Sequence, residues 1–285
     1  MSISPIALIT DSTCDIPQDL IDRYQIQVVP HYIIWGEQQY RDRVTLQPVE
    51  FYERLESDPV RPTTSQAGEP DFLKAYQEAI LKGVKEIVVV TISSAMSGAH
   101  QMAENAARLV KIPVHVVDAK GPTMSLGWQV LAGARIQAAG GDVKTMLDKM
   151  DQVRQRLTQI VSMNTLEYLQ KGGRIGGAAK WIGGMLHIKP VVAINHTTGT
   201  VEPVGLARTH KNAVELMYEK FFDGIGRVGN LHVAVLHGNV LAEAQELAER
   251  IRQNFAPAEL IINITGPVLG INTGPRALAL CGYAD

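Results

Sequence analysis

The sequence predicts an α/β protein with two domains, an N-terminal parallel-sheet α/β/α domain and a C-terminal mixed-sheet α/β domain. The chain has 285 residues, a length that favours two domains over one. Strand-like and helix-like segments alternate up to about residue 156, as in a parallel sheet with helices on both faces. The remainder contains a hairpin signal, which indicates a mixed sheet. We therefore predict domains at residues 1–156 and 157–285.

The elements of the first half follow from apolar runs and turn residues. Pro17 and Pro48 suit the first turn of a helix, and Gly83 suits a helix end. Apolar β-forming runs predict strands at 6–10, 26–34 with a bend at Pro30, 87–91 and 114–118. Helical spacing and caps predict helices at 17–24, 45–55, 72–82, 99–110, 123–139 and 143–156. Residues 61–66 are predicted to form a loop.

A hydroxyl-rich loop joins the buried strand at 87–91 to the next helix. It contains Ser93, Ser94 and Ser97, followed by Gly98. Free N–H groups and the positive end of the helix dipole meet at such a helix start, which favours an anion. The loop has no Lys or Arg, so hydroxyl and N–H groups would hold the anion by hydrogen bonds alone. The alternative interpretation is that Ser97 only caps the helix.

Several loops of the first half are expected to share one edge of the parallel sheet. Residues 11–15, 93–98 and 118–123 each follow a predicted strand. Because ligands of such sheets bind beyond the carboxyl ends of the strands, these loops are the expected location of a site. The loop at 63–65 precedes a helix and is expected to join them from the side.

The second half changes character after residue 157. Residues 196–199 separate two β-forming segments, which is typical of a hairpin. Strands are predicted at 159–163, 188–194, 200–206, 231–237 and 259–265. Helices are predicted at 166–170, 209–222 and 241–254, to one side of the sheet. Residues 171–177 are rich in glycine and basic, and a flexible hinge is the alternative interpretation of this segment.

Composition excludes several classes of protein. The net charge is −2 and the sequence pI is about 6.5, which gives no basic footprint for nucleic acid or an anionic membrane. No apolar run approaches the roughly 20 residues of a membrane helix, and we find no signal sequence. Cys14 and Cys281 are far apart and form no CxxC pair. We therefore expect a cytoplasmic protein.

Motifs for catalysis are missing from the sequence. The eight histidines show no metal-ligand spacing, and there is no GxSxG or Walker A motif. A hydroxyl-lined anion site without a nucleophile, base or metal suits binding better than catalysis, so no cofactor is expected. Arg174 and Arg208 lie outside the serine loop and are candidates to surround its opening. Asp11 follows a strand and is a candidate catalytic group, although a turn-forming Asp is the commoner case.

Spaced motifs along the chain resemble the DegV family of bacterial fatty-acid-binding proteins. In order, these motifs are residues 9–13 with 15–17, residues 62–66, residues 93–98, residues 171–175, Arg208, and residues 266–267 with 270–275. The resemblance implies two α/β domains with a fatty acid buried between them. It also implies a partner, an ATP-dependent fatty acid kinase that phosphorylates the carboxylate.

The resemblance further implies which residues bind. The carboxylate would be hydrogen-bonded by a threonine of the pair Thr63 and Thr64 and by a serine of the pair Ser93 and Ser94, with neither choice fixed. Arg174 and Arg208 match basic positions where contact with the kinase or the acyl phosphate is expected. Asn272 stands where family members often have a histidine. An Asn side chain donates a hydrogen bond but carries no charge.

On physical grounds, burial of the acyl chain would supply most of the affinity, and the hydroxyl groups would supply orientation. About 14 buried methylenes contribute roughly 11 kcal/mol, whereas each neutral hydrogen bond adds about 1 kcal/mol. Candidate tunnel or core residues are Ile33, Leu126, Met163, Leu166, Ile188, Val192 and Leu269. Two alternatives stay open. One is a stand-alone hydrolase or phosphoryl-transfer enzyme that uses Asp11 or Ser94, and the other is a regulatory protein with a structural lipid.

Overall fold

The computed structural model describes residues 5–181, 188–225 and 229–285. Its strands are β1 (Ile6–Asp11), β2 (Gln27–Val29), β3 (Tyr32–Trp35), β4 (Gln38–Arg41), β5 (Thr63–Ser65), β6 (Glu86–Thr91), β7 (Val114–Asp118), β8 (Thr158–Ser162), β9 (Lys189–Asn195), β10 (Thr200–Ala207), β11 (Leu231–His237), β12 (Glu259–Ile264) and β13 (Leu278–Ala284). Its α-helices are α1 (Gln18–Arg23), α2 (Pro48–Ser57), α3 (Glu69–Leu81), α4 (Ala99–Ala107), α5 (Met124–Ala138), α6 (Val143–Arg156), α7 (Glu167–Gly172), α8 (His210–Ile225), α9 (Leu241–Phe255) and α10 (Pro267–Thr273).

The first sheet is parallel, as predicted. Its four strands lie in the order β2-β1-β6-β7, and each neighbouring pair is parallel. Side chains alternate between its faces: Leu8 and Val88 belong to the core around α5, whereas Ile9 and Val89 pack with α3 and α4. Helices therefore cover both faces, which explains why these strands are almost uniformly apolar.

The second sheet is mixed, as predicted. Its six strands lie in the order β10-β9-β8-β13-β11-β12; β11 and β12 are parallel, and the other neighbours are antiparallel. The predicted hairpin is β9 and β10. Helices α8 and α9 pack on one face, and α5 contacts the other. The predicted domain boundary after residue 156 falls between α6 and β8 and stays a prediction.

A third, antiparallel sheet was not predicted. The expected bent strand at 26–34 is wrong, because Pro30 separates β2 in the parallel sheet from β3 in a sheet of order β4-β3-β5. The expected loop at 61–66 is also corrected, since Thr63–Ser65 forms β5 and pairs with β3. Ile33 and Trp35 of β3 pack on Phe51 of α2. Burial of these side chains, which the local pattern did not reveal, selects the extra sheet.

One apolar core connects the two large sheets through α5. Leu8 of the parallel sheet, Leu126 and Trp128 of α5, and Cys281 of β13 belong to the same buried cluster. The Trp128 indole N–H donates a 3.1 Å hydrogen bond to the Cys281 carbonyl oxygen. Helix α5 is therefore shared by the two sheets, with few polar side chains over its length.

The loops after the parallel strands meet, as expected. The backbone N–H of Ile92 donates to Asp11 Oδ2 at 2.8 Å. The N–H of Ser94 donates to Asp118 Oδ1 at 3.2 Å. These two bonds join the carboxyl ends of β1, β6 and β7 into one edge, and this edge faces the mixed sheet.

Candidate functional site

An apolar cavity lies between the loop edge of the parallel sheet and the mixed sheet; we call it the inner cavity. It contains about 980 Å³ of empty space, part of it open to solvent. Its apolar wall includes Ile92, Met96, Val161, Met163, Leu169, Val192, Ile194, Val201, Leu236, Val268, Leu269 and Leu278. Of the tunnel candidates from the sequence, Met163, Val192 and Leu269 line it.

The other tunnel candidates lie elsewhere. Ile33 is buried against α2, and Leu126 is buried in the core around α5. Leu166 is a partly buried residue at the margin of that core, and Ile188 does not line the inner cavity. A periodic apolar pattern does not distinguish a core side chain from a cavity side chain, because both avoid water.

Polar side chains gather at the end of the inner cavity near β5 and α10. Thr64 and Gln66 come from β5 and its end, Ser97 comes from the serine loop, and Asn272 comes from α10. The antiparallel pairing of β5 with β3 places Thr64 opposite Ile33. This end of the cavity thus offers hydroxyl and amide groups, and Thr123, Gln159 and Thr265 add further polar groups to an otherwise mainly apolar wall.

Asn272 is held by the packing of α10 against α7. Its Nδ2 donates a 3.0 Å hydrogen bond to the Val268 carbonyl oxygen one turn earlier. Its Oδ1 lies against Gly172, where a Cβ would overlap it. The side chain is therefore fixed by a close approach that only glycine allows at position 172.

The three serines of the loop have different surroundings. Ser97 lines the inner cavity, and its Oγ also accepts a 3.2 Å bond from the Ala99 N–H, as in a helix cap. Ser93 is buried and Ser94 is exposed, and neither lines the inner cavity. The sequence-based assignment of the carboxylate contact to Ser93 or Ser94 stays a prediction.

A second, outer cavity of about 750 Å³ adjoins the inner one. Both are lined by Thr64, Arg174 and Asn272. The outer cavity is also lined by Arg61, Thr63 and Lys171, among others. Its wall carries three basic side chains and one acidic side chain, so an anion is favoured there.

The two predicted arginines lie in different places. Arg174 lines both cavities, and its guanidinium donates to the carbonyl oxygens of Met96, at 3.1 Å, and of Gly172. Arg208 is exposed just after β10 and lines neither cavity. The structure therefore brings together Thr64, Arg174 and Asn272, and it leaves Arg208 on the surface.

The groups proposed for catalysis have structural surroundings. Asp11 is buried, and its carboxylate accepts hydrogen bonds from Thr13 and from the Ile92 N–H. Burial alone would raise its pKa, but the charge of His31 and these hydrogen bonds hold the pKa of Asp11 below its usual value. The Ser94 hydroxyl has no hydrogen-bonded base among the described residues. These contacts are structural and give no support to the alternative enzyme, which the sequence placed on Asp11 or Ser94.

Thiol and metal chemistry find no support either. Burial raises the pKa of Cys14 to about 12 and that of Cys281 to about 12, so both thiols stay protonated. Over residues 5–181, 188–225 and 229–285, no group of three or more His, Cys, Asp or Glu side chains is placed to hold a metal ion. Nor does any helix there have the length and apolar character to span a bilayer.

Sequence reasoning assigned no binding role to several polar residues of the inner cavity, among them His31 and Gln66. Gln66 lies within a motif of the resemblance but was not assigned a role. His31 follows Pro30 in a segment predicted to be a strand, where a lone histidine carries no signal. Their common position becomes visible only through the pairing of β3 with β5.

Known proteins match this chain over almost its whole length. A family model described as "Uncharacterised protein, DegV family" matches residues 5–285. A DegV domain-containing protein of Halalkalibacterium halodurans is 29% identical over 284 residues, 99% of this chain and 100% of that protein.

Two solved structures have the same fold. A fatty-acid-binding DegV family protein from Thermus thermophilus is 31% identical, with a TM-score of 0.89 over 98% of this chain and 99% of that one. DegV, a fatty acid binding protein from Bacillus subtilis, is 26% identical, with a TM-score of 0.90 over 98% of this chain and 99% of that one. These relatives are binding proteins, in line with our interpretation of a binding site rather than a catalytic one. The chain belongs to the DegV family.

Proposed function

We propose that this protein binds a long-chain fatty acid in the inner cavity and presents its carboxylate to a fatty acid kinase for phosphorylation. One observation carries the proposal: Thr64, Arg174 and Asn272 line both cavities, so the polar end of an apolar cavity faces a basic opening. An acid lying with its hydrocarbon along the apolar wall would therefore expose its carboxylate to the outside. The fatty-acid-binding relatives support the choice of ligand.

Most of the binding free energy is expected to come from burial of the hydrocarbon chain of the acid. Burying about 14 methylenes contributes roughly 11 kcal/mol before the costs of binding. Each hydrogen bond to the carboxylate adds about 1 to 3 kcal/mol. A long-chain acid should therefore bind well and acetate should barely bind, although both present the same carboxylate.

The polar side chains at one end of the inner cavity would orient the carboxylate of the acid. Thr64, Ser97 and Asn272 line the cavity and are suitable donors to carboxylate oxygens. Thr63, Ser93 and Ser94 remain proposed contacts from the sequence. Neither Ser93 nor Ser94 lines the cavity described above, so their contact with the carboxylate rests on the family resemblance alone.

Native mass spectrometry of freshly purified protein, followed by denaturing extraction, tests the binding proposal. We expect a fatty acid with about 14 to 18 carbons at near-unit stoichiometry. Protein that is empty, and that takes up no added palmitate or oleate, would contradict the proposal. Hydrolysis of a small ester or phosphoester by the chain alone would favour the alternative enzyme instead.

A reaction with purified fatty acid kinase, ATP and loaded protein tests the presentation step. Arg174→Ala and Arg208→Ala are expected to retain the acid and to slow formation of the acyl phosphate. Arg252→Ala is the control, because Arg252 is an exposed arginine of α9 paired with Glu249. If both variants, Arg174→Ala and Arg208→Ala, are phosphorylated at the normal rate, the proposed kinase contact is wrong. Loss of the acid from Arg174→Ala would assign Arg174 to carboxylate binding.

A further inference from the structure

Polar side chains also lie at the end of the inner cavity that is remote from the proposed carboxylate contacts; we call it the far end. Alternate residues along β8 and directly after it line the cavity, namely Gln159, Val161 and Met163. Helix α7 follows Met163, and its Gly172 lies against Asn272, where the carboxylate is expected. At about 3.3 Å per residue, Gln159 lies roughly 13 Å farther from the carboxylate than Met163 does.

Strand register shows that the cavity ends at Gln159. On β13, Ala277 and Ala279 line the cavity, whereas Cys281, which lies opposite Gln159, does not. Thr123, directly before α5, lines the cavity, and its Oγ1 lies 3.5 Å from Gln159 Nε2. The side chains of Thr123 and Gln159 therefore meet at the far end, where the last methylenes of a long acid would lie.

The two ends of the Gln159 amide face different surroundings. Its Oε1 accepts a hydrogen bond from the hydroxyl of Ser125, a residue of α5 that does not line the cavity. Ser125 Oγ also lies 2.7 Å from His196 Nε2, which completes a buried polar layer behind the far end. The carbonyl end of the amide is thus held behind the cavity wall, and the nitrogen is turned toward Thr123, which forms part of that wall.

Hydrogen bonding between Thr123 and Gln159 is incomplete. Their 3.5 Å separation exceeds the ordinary N–H···O distance of about 2.7–3.2 Å. Thr123 makes no side-chain cap bond at the start of α5, and across the described residues its hydroxyl donates to no acceptor. The two residues are only 6% and 2% exposed, respectively. Because buried N–H and O–H donors without good acceptors cost free energy, a ligand group that both accepts and donates is favoured here.

We propose that the far end is a second polar subsite, where Thr123 and Gln159 bind a hydroxyl group carried on the hydrocarbon chain of the acid. This inference rests on the proposed fatty-acid function and extends its ligands to hydroxy fatty acids. A wholly apolar far end would reject such an acid, because its hydroxyl would lose hydrogen bonds to water and gain none. The alternative is that Thr123 and Gln159 serve only to close the cavity.

Paired acids and two variants test this subsite. The affinities of 16-hydroxypalmitate, 12-hydroxystearate and 10-hydroxystearate are compared with those of palmitate and stearate by calorimetric titration. Gln159→Met and Thr123→Val keep the approximate size of each side chain and remove its polar group. We expect at least one hydroxy acid to bind the wild type as tightly as its parent or more tightly. Each variant is expected to weaken that acid, relative to its parent, by about ten-fold or more. Gln253→Met is the control, because Gln253 is exposed on α9 and bonds to Glu249.

The outcomes distinguish failure of this inference from failure of the proposed function. Wild-type protein that binds none of the five acids overturns both. Wild-type protein that binds palmitate or stearate, but binds every hydroxy acid more weakly than its parent, overturns the far-end subsite alone. A ratio of affinities that stays at the wild-type value in both variants also overturns it. If one variant does not fold, the other decides, and if neither folds, the ratio measured on the wild type decides.

Discussion

The Ser93 hydroxyl donates a 2.8 Å hydrogen bond to the carbonyl oxygen of Gly199, in the turn between β9 and β10. Gly199 has φ of +75°, and a Cβ there would overlap Ser93 Oγ. Position 199 therefore requires glycine, both for its backbone and for this contact. The bond joins the serine loop of the parallel sheet directly to the hairpin of the mixed sheet.

Alanine variants of the three loop serines assign their roles. Ser97→Ala is expected to weaken fatty-acid binding several-fold, because Ser97 lines the inner cavity and one hydrogen bond is worth about 1 kcal/mol. Ser93→Ala is expected to lower the free energy of unfolding by about 1 kcal/mol through loss of the Gly199 bond. Palmitate titration and urea unfolding measure the two effects. Weaker binding in Ser94→Ala, with Ser97→Ala unaffected, would instead support the assignment from the sequence.

Thr64 and Thr63 form a matched pair for the carboxylate end. Thr64 lines both cavities, whereas Thr63 is exposed and lines only the outer one. Thr64→Val keeps the shape and removes the hydroxyl, so we expect palmitate affinity to fall about five-fold to ten-fold. Thr63→Val should change the affinity by less than about two-fold. Equal effects of the two substitutions in a palmitate titration would contradict this assignment.

Packing of α10 requires glycine at position 270. A Cβ there would lie 2.6 Å from Phe51 Cε1 and 2.7 Å from the Tyr52 hydroxyl oxygen. Gly270→Ala is therefore expected to lower the free energy of unfolding by about 1–3 kcal/mol, because α2 and α10 would have to move apart. Gly224→Ala is the control, since its nearest contact is 3.2 Å and its site on α8 is exposed. Urea unfolding that gives equal losses for the two variants would contradict the expectation.

Asp42 makes stability depend on pH. Burial raises the pKa of Asp42 to about 6 from its model-compound value of 3.8. Well below pH 3.8 the carboxyl is protonated in the folded and unfolded states, and its contribution to stability is fully present. As the pH rises through about 6, the folded state must ionise a buried group, and about 3 kcal/mol is lost.

Asp42→Asn tests this linkage because Asn cannot ionise. The free energy of unfolding is measured in urea near pH 4 and near pH 7 for wild type and variant. We expect the wild type to lose about 2 kcal/mol more than Asp42→Asn over this interval. The control is Asp148→Asn, at an exposed position of α6. A difference between wild type and Asp42→Asn that does not change with pH would contradict the raised pKa.

The sequence predicted most of the two large sheets because their strands are long apolar runs between clear turns. It missed β13 and α10 for a physical reason. The strand Leu278–Ala284 contains two Ala and one Gly, which have weak β-propensity, and its place within the sheet comes from packing. Helix α10 has only seven residues, too few to show a helical period. The short β4 and β5 were hidden in the same way, and β3 was predicted only as part of the longer strand at 26–34.

The site was predicted in part. Thr64, Arg174 and Asn272 come together although they are far apart in the sequence, and the motifs of the resemblance identified all three. His31 could not be found, because its position depends on the register between β3 and β5 and on the bond from its N–H to Ser12. Local sequence patterns carry no information on either.

Helix α5 has a consequence for dividing the chain. Its apolar side chains contact both large sheets, and Trp128 bonds to the Cys281 carbonyl on β13. Producing residues 157–285 without the first half would remove α5 from β8, β11 and β13 and leave one side of that sheet exposed to water. The separated C-terminal fragment would then be prone to self-association, because large exposed apolar patches on different molecules associate with one another.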